Sequence, residues 1–322
     1  MSERQLNALL QELENSLTLL DETRVIDVAD FDLSLKHTDS DLFSFSQPDS
    51  LLAKCEQVCA EYSINKPKLR TIHHLACSGG SLITKCFSVM PNTYLLSEVH
   101  PHSYRHLPKD NAEFLPSDIA TLAKQANFPN SDILAKKIFA HAITDAYEHV
   151  TRLGGILILR DHSHSDFCVG DDIASKSTVK TTLEPDFEIR SIVTLRNPID
   201  AYASLKSNFW LHFEPSSFDD YCGRVLAFLS EFEHSQIFFY EDFVNQPEFE
   251  LEKMCLFLDI PYVNGSSSLF DMFKVTGDSG RKGEIIEARQ RRTIENYLLE
   301  EIKQSEKFKL LCEVYRKDYN IF

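Results

Sequence analysis

Apolar residues near the N-terminus fall at helical intervals, with Leu6, Leu9, Leu10, Leu13 and Leu17 on one face and a second helical stretch from about Leu51 to Tyr62. A polar connection around Thr38 to Ser50 separates them, so residues 1–67 are expected to form a helical extension. From Arg70 the texture changes to short apolar runs separated by helical segments. The runs predict strands over Thr71–Ala76, Thr93–Leu96, Gly155–Leu159, Glu188–Leu195 and Gln236–Tyr240, which is the rhythm of a largely parallel sheet crossed by helices. Residues 68–322 are therefore expected to be one α/β domain. Within it, the polar stretch from Asp161 to Thr182 reads either as a long active-site loop or as a disordered surface insertion. A helical pattern from Leu251 to Leu258 stops at Ile260-Pro261 and is followed by a glycine-punctuated basic loop, Thr276 to Gly283.

Composition narrows the class. Hydrophobic residues make up 43% of the 322 and charged ones 25%, so the chain can bury a core and is not disordered as a whole. With 33 Lys and Arg against 49 Asp and Glu, the net charge of -16 argues against nucleic acid or an anionic membrane as partner. An anionic ligand would have to be held by a local site. The eight cysteines form no CxxC pair, and the N-terminal leucines are interrupted by Glu3, Glu12 and Glu14, unlike a secretory segment. No apolar run approaches the ~18 residues of a membrane span, so the expectation is a cytoplasmic protein with reduced thiols.

Two segments carry candidate chemistry. Ala76-Cys77-Ser78-Gly79-Gly80-Ser81 joins a predicted strand to a helix, and its glycines let the backbone curl so that N–H groups converge on one anion, with Ser78 and Ser81 as added donors. An ordinary tight turn has the same composition. It is not a Walker A loop, because GxxxxGK[ST] is absent and Lys85 falls a helical turn beyond Ser81. The strand Glu188–Leu195 runs into Arg196-Asn197-Pro198-Ile199-Asp200, where Asn197 caps a helix, Pro198 suits its first position, and Ser204 lies two turns along. Arg196 with Ser204 is a pair able to grip a phosphate, although an Arg196–Asp200 ion pair would use the same residues.

Arg-Asn-Pro-x-Asp-x-x-x-Ser, from Arg196 to Ser204, resembles the 3′-phosphate-binding segment of the cytosolic and bacterial sulfotransferases. Three further segments are similar to that family in its own order: Ala76–Ser81 to the loop Pro-Lys/Arg-Ser-Gly-Thr-Thr, Tyr240-Glu241-Asp242-Phe243 with Phe257–Pro261 to Tyr-Glu-Asp-Leu and Phe-Leu-Gly-Ile/Leu-Pro, and Arg281-Lys282-Gly283 to Arg-Lys-Gly. The resemblance spans about Arg70 to Ala288. It implies a P-loop-like three-layer α/β fold with a central parallel sheet, and the donor 3′-phosphoadenosine 5′-phosphosulfate, which leaves as adenosine 3′,5′-bisphosphate without need of a metal. Ser78, Gly79, Gly80 and Ser81 would hold the 5′-phosphosulfate, while Arg196, Ser204, Arg281 and Lys282 would hold the 3′-phosphate. Gly283 would present a backbone N–H and Tyr240 would contact the adenine.

Cys77 departs from the family, standing where a Lys or Arg usually neutralises charge on the bridging oxygen. Lys85 and Arg160 are the candidates to replace that cation, and if neither reaches, the chain is a nucleotide-binding protein of weak or no activity. For the base that takes the acceptor's proton, the resemblance nominates His162, in Arg160-Asp161-His162, with Glu98 as the competing carboxylate. The pairs His100/His102 and His162/His164, with Asp161 or Asp166, allow a different reading as a metal-dependent hydrolase. A kinase would need a Walker-type Lys and a Mg²⁺-binding Ser, and neither is present at the expected spacing. The default acceptor is a small hydroxylated or amine-bearing molecule, since the acidic chain disfavours a highly sulfated polysaccharide.

Overall fold

The computed structural model describes residues 66–102, 117–270, 272, 285–288 and 294–315. Residues 1–65 of the helical extension expected over 1–67, and the Arg281-Lys282-Gly283 segment, lie outside the described residues. The elements run β1 (Lys68–His74), α1 (Gly80–Ser88), β2 (Thr93–Val99), α2 (Ile119–Gln125), α3 (Ser131–Arg152), β3 (Ile156–Asp161), α4 (His164–Phe167), α5 (Thr178–Leu183), β4 (Glu188–Leu195), α6 (Pro198–Ser207), α7 (Phe218–Leu229), β5 (Ile237–Phe239), α8 (Tyr240–Asn245), α9 (Pro247–Leu258), α10 (Asn296–Gln304) and α11 (Glu306–Tyr315). All five predicted strands are present. They form one sheet in the order β2-β3-β1-β4-β5, and every neighbouring pair is parallel.

Strand alternation divides the core into two layers of helices. On one face Ile72, Ile158 and Ile192 pack with Leu82, Cys86 and Phe87 of α1 and with Leu251 and Met254 of α9. On the other, Leu69, Leu157 and Leu159 meet Ile143 and Val150 of α3, while Val193 and Leu195 meet Tyr202 of α6 and Tyr221 and Phe228 of α7. Each such fully buried side chain contributes about 1.5–3 kcal/mol. Helices on both faces of a parallel sheet place the ends of all five strands on one rim, and every βα connection leaves from that rim.

The segment from Asp161 to Thr182 corrects one expectation. It is not a disordered insertion, and only its middle, from about Val169 to Lys176, is loop: its ends fold into α4 and α5, with Ser163, His164, Ser165, Asp166, Phe167 and Cys168 buried. Its two aspartates are the reason. Asp161 Oδ2 accepts from Ser163 and Ser177, and Asp166 accepts from the Thr178 backbone N–H at 2.7 Å and its hydroxyl at 2.7 Å, so the polar residues that read as loop are the anchors of the fold. At the far end of the domain, Asp259 takes a left-handed backbone (φ 57°) that ends α9 just before Ile260-Pro261, as expected.

Candidate active site at the carboxyl ends of the strands

The loop after β1 turns on two left-handed positions that flank Ser78, Cys77 (φ 64°) and Gly79 (φ 81°), and Gly79 then starts α1 with no side chain to cap it. A helix that starts uncapped leaves its first N–H groups available to an anion. Gly79 has a second reason to be glycine: a methyl group there would lie 2.2 Å from the Tyr240 ring. Tyr240, at the start of α8, thus covers the loop, and its ring also faces the Arg196 guanidinium at 5.4 Å. Arg196 in turn donates from Nη1 to the Cys77 carbonyl at 3.1 Å. Three segments separated by more than 40 residues each meet within one small region.

Further contacts hold these segments in place. Asn197 caps α6 by accepting from the Ile199 N–H at 3.0 Å, while its own N–H donates to Glu241 Oε1 at 2.9 Å, tying the Arg196 turn to α8. Burial pushes the Glu241 carboxyl up, with the Asn197 N–H opposing. The Asn208 amide lies 3.7 Å from Cys77 Sγ, and the Ala76 N–H donates to His164 Nδ1. Ser204 sits on α6 two turns from Arg196, its hydroxyl donating to the Asp200 carbonyl at 2.8 Å. Ser78 is buried at the base of the loop.

Of the two cations considered for the loop, Arg160 is the one brought to it. Its side chain is buried at the end of β3 and donates from Nη2 to Ser81 Oγ (3.1 Å), from Nη1 to Ser97 Oγ (2.9 Å) and from Nε to His74 Nε2 (2.6 Å). Nη2 also pairs with Glu98 Oε1 at 2.8 Å. Lys85 points elsewhere, with its ammonium 5.9 Å from the Phe270 ring centroid. Glu98 holds a left-handed backbone (φ 58°) where the β2–β3 register shifts between Leu96 and Val99, and this local irregularity is what brings its carboxylate to the guanidinium.

His162 follows Asp161, its backbone N–H donating to the Val99 carbonyl at 3.2 Å. Burial lowers its pKa below the usual imidazole value, with the Glu98 charge opposing, so the ring is neutral at pH 7. His100 is differently engaged: Nδ1 accepts from the His102 backbone N–H at 3.1 Å, which leaves the Nε2 proton to be donated to Asp166 Oδ1 at 3.1 Å. Burial raises the Asp166 pKa, but the bonds from His100 and Thr178 outweigh it and hold it below the usual carboxylate value. Both ring nitrogens of His100 are thus spent, and among the described residues no three His, Cys, Asp or Glu side chains are grouped to hold a metal ion. The hydrolase alternative has no metal cluster to stand on in that part of the chain. The residues that sequence reasoning missed are the second layer: His74, Glu241, Asn208, and His164 in its contact with the loop.

No family model matches the chain, and no curated protein matches it. Among solved structures, the chain is similar to a sulfotransferase from Alicyclobacillus acidocaldarius, with 17% identity, 79% of this chain and 98% of that one covered, and a TM-score of 0.39. It is also similar to the mouse sulfotransferase SULT7A1 complexed with PAP (13% identity, 78% and 83% covered, TM-score 0.35) and to sulfotransferase STF9 from Mycobacterium avium (12% identity, 83% and 81% covered, TM-score 0.41). Among the described residues, no helix is long and apolar enough to cross a membrane.

Proposed function

We propose that the chain is a sulfotransferase that uses 3′-phosphoadenosine 5′-phosphosulfate and a small hydroxylated or amine-bearing acceptor. The observation that carries this reading is the meeting of the separate motif segments on one rim: Arg196 on the Cys77 carbonyl, Tyr240 over Gly79 and Arg196, and Arg160 on Ser81. A donor with two anionic ends needs two anion sites, and the residues present fit both. The uncapped start of α1 with Ser78, Ser81 and the Nη2 of Arg160 is a donor set for a phosphosulfate, and Arg196, joined by Ser204 when its hydroxyl turns from the Asp200 carbonyl to the ligand, is one for the 3′-phosphate. Arg281, Lys282 and Gly283 belong to the same proposal through their motif alone.

When bound, the donor supplies an activated sulfuryl group. Arg160 supplies the positive charge beside Ser81 that the loop itself lacks, because Leu75 to Ser81 contains no Lys or Arg. His162, neutral at pH 7, accepts the proton of the acceptor's hydroxyl or amine, and the nearby Glu98 charge favours the imidazolium that results. Glu98 is otherwise committed to its ion pair with Arg160, which makes His162 the better base of the two.

The test is calorimetric titration of the full chain with adenosine 3′,5′-bisphosphate, with ATP and AMP in parallel. Metal-independent binding that requires the 3′-phosphate is expected. Arg196→Ala should weaken it by about 10- to 100-fold, the worth of a charged hydrogen-bond pair. His162→Ala should leave that affinity within about twofold and abolish transfer to any acceptor found by screening. In the wild type, transfer should hold as pH falls to about 6.5 and decline only below it, because the base's pKa is depressed. Unchanged affinity in Arg196→Ala, or a preference for ATP with Mg²⁺, would overturn the reading.

A further inference from the structure

Arg160 does not reach the loop unaided. Its Nε–H is bonded to His74 Nε2 at 2.6 Å, and the far nitrogen of that ring, Nδ1, lies 3.0 Å from the Leu75 carbonyl. A carbonyl only accepts and a guanidinium only donates, so the tautomer is determined: His74 is neutral, its proton is on Nδ1, and Nε2 offers a lone pair to Arg160. Burial, and then the Arg160 charge, push the His74 pKa well below the usual imidazole value, in agreement with that geometry.

The ring occupies a place that almost any other residue at position 80 would deny it. A methyl group on Gly80 would come within 2.0 Å of His74 Cδ2 and 2.2 Å of Nε2. Gly80 does not have a positive φ, unlike Gly79, so its backbone conformation is open to any L-residue and the missing side chain serves only to make room. The loop thus carries no cation of its own, and beside the place where one would act it carries a glycine that admits an imidazole holding an arginine.

We propose that His74 is a positioning residue: seated against Gly80, it accepts the Nε–H of Arg160 and thereby aims the Nη2 edge of the guanidinium at Ser81 on the anion loop. With Nε held by His74 and Nη1 by Ser97, the plane of the guanidinium is fixed, and Nη2 is directed toward Ser81 and Glu98. This rests on the reading of the loop as the site of the donor's 5′ end.

The experiment compares the affinities of the full chain for adenosine 3′,5′-bisphosphate and adenosine 3′-monophosphate, whose ratio isolates the 5′-phosphate. His74→Phe keeps the ring and removes the acceptor, and it should shrink that ratio by about tenfold while adenosine 3′-monophosphate binds as before, as expected for losing one well-aimed charged hydrogen bond. His74→Gln restores an acceptor and should recover most of the ratio. Gly80→Ala attacks the same contact from the loop side, so the result does not hang on one variant folding. It should reproduce the His74→Phe loss, but add nothing when combined with His74→Ala. In the ligand-free protein, the Arg160 Nε–H held by His74 is expected to give a resonance protected from solvent exchange, and that protection should be lost in His74→Phe. Wild-type protein that binds neither nucleotide overturns the donor reading and this proposal with it. A 5′-phosphate dependence that His74→Phe and Gly80→Ala leave intact overturns the positioning role alone.

Discussion

His73 and His74 are neighbours on β1, yet they leave the strand for opposite faces of the sheet, as do Arg160 and Asp161 on β3. One histidine of the two meets the aspartate and the other meets the arginine. His73 belongs to a buried network: its Nδ1 is 2.8 Å from Asp161 Oδ2, which also accepts from Ser163 and Ser177, its Nε2 is 2.8 Å from Thr71 Oγ1, and Thr71 meets Ser191 at 2.8 Å. Every one of these side chains is buried, and Phe232 lies against the imidazole at 5.0 Å. His74 instead opens onto the rim through Arg160, which reaches Ser81 and Glu98. The same residue type, one position apart, is thus a fastener on one face and part of the candidate chemistry on the other. What separates them is where their partners lead, since both are almost wholly inaccessible.

The largest effect that would break this contrast comes from its structural half. Asp161→Ala removes the acceptor of His73, Ser163 and Ser177 together, and denaturant unfolding should show a loss of about 3–5 kcal/mol. The fraction that stays folded should bind adenosine 3′,5′-bisphosphate normally. A change in affinity without loss of stability would erase the distinction between the faces. Next is Gly79→Ala, which meets both the Tyr240 ring and a positive φ, and should cost about 1–3 kcal/mol, along with nucleotide affinity. The smallest effect sharpens the other half. Neutral His74 must take up a proton on unfolding below pH ~6.5, so stability is greatest above that value and falls as pH drops, by about 1.4 kcal/mol per pH unit on this group's account. Unfolding curves between pH 5.5 and 7.5 should therefore be shallower in pH for His74→Gln than for wild type.

Much of this was legible in the sequence, and the reason differs from element to element. Strands such as Glu188–Leu195 announce themselves by β-branched apolar runs, and the Arg196-Asn197-Pro198 turn by its capping chemistry, because both depend on neighbours in the chain. Arg160 and Glu98 were separately readable as candidates, but their 2.8 Å pairing depends on a register shift in β2 that no local pattern encodes. The Asp161–Thr182 segment was misread because its polar residues are satisfied by one another across 12 to 16 positions, and polarity looks the same whether the partner is water or protein. His74 could have been noticed. Two histidines in succession at the end of a strand must point to opposite faces, and one of them must face the glycine loop that follows.

The outer strands of the sheet bear on a different matter, how the protein behaves when crowded with copies of itself. β5 offers only Ile237 to Phe239 before the chain turns into α8, and β2, at the opposite edge, loses its regular register after Leu96, where Glu98 adopts its left-handed backbone. Unpaired strand edges recruit other chains when they are long, flat and uniform. Here one edge is cut short and the other is bent by a residue the candidate site uses, so the irregularity that brings Glu98 to Arg160 also leaves that edge a poor template for aggregation.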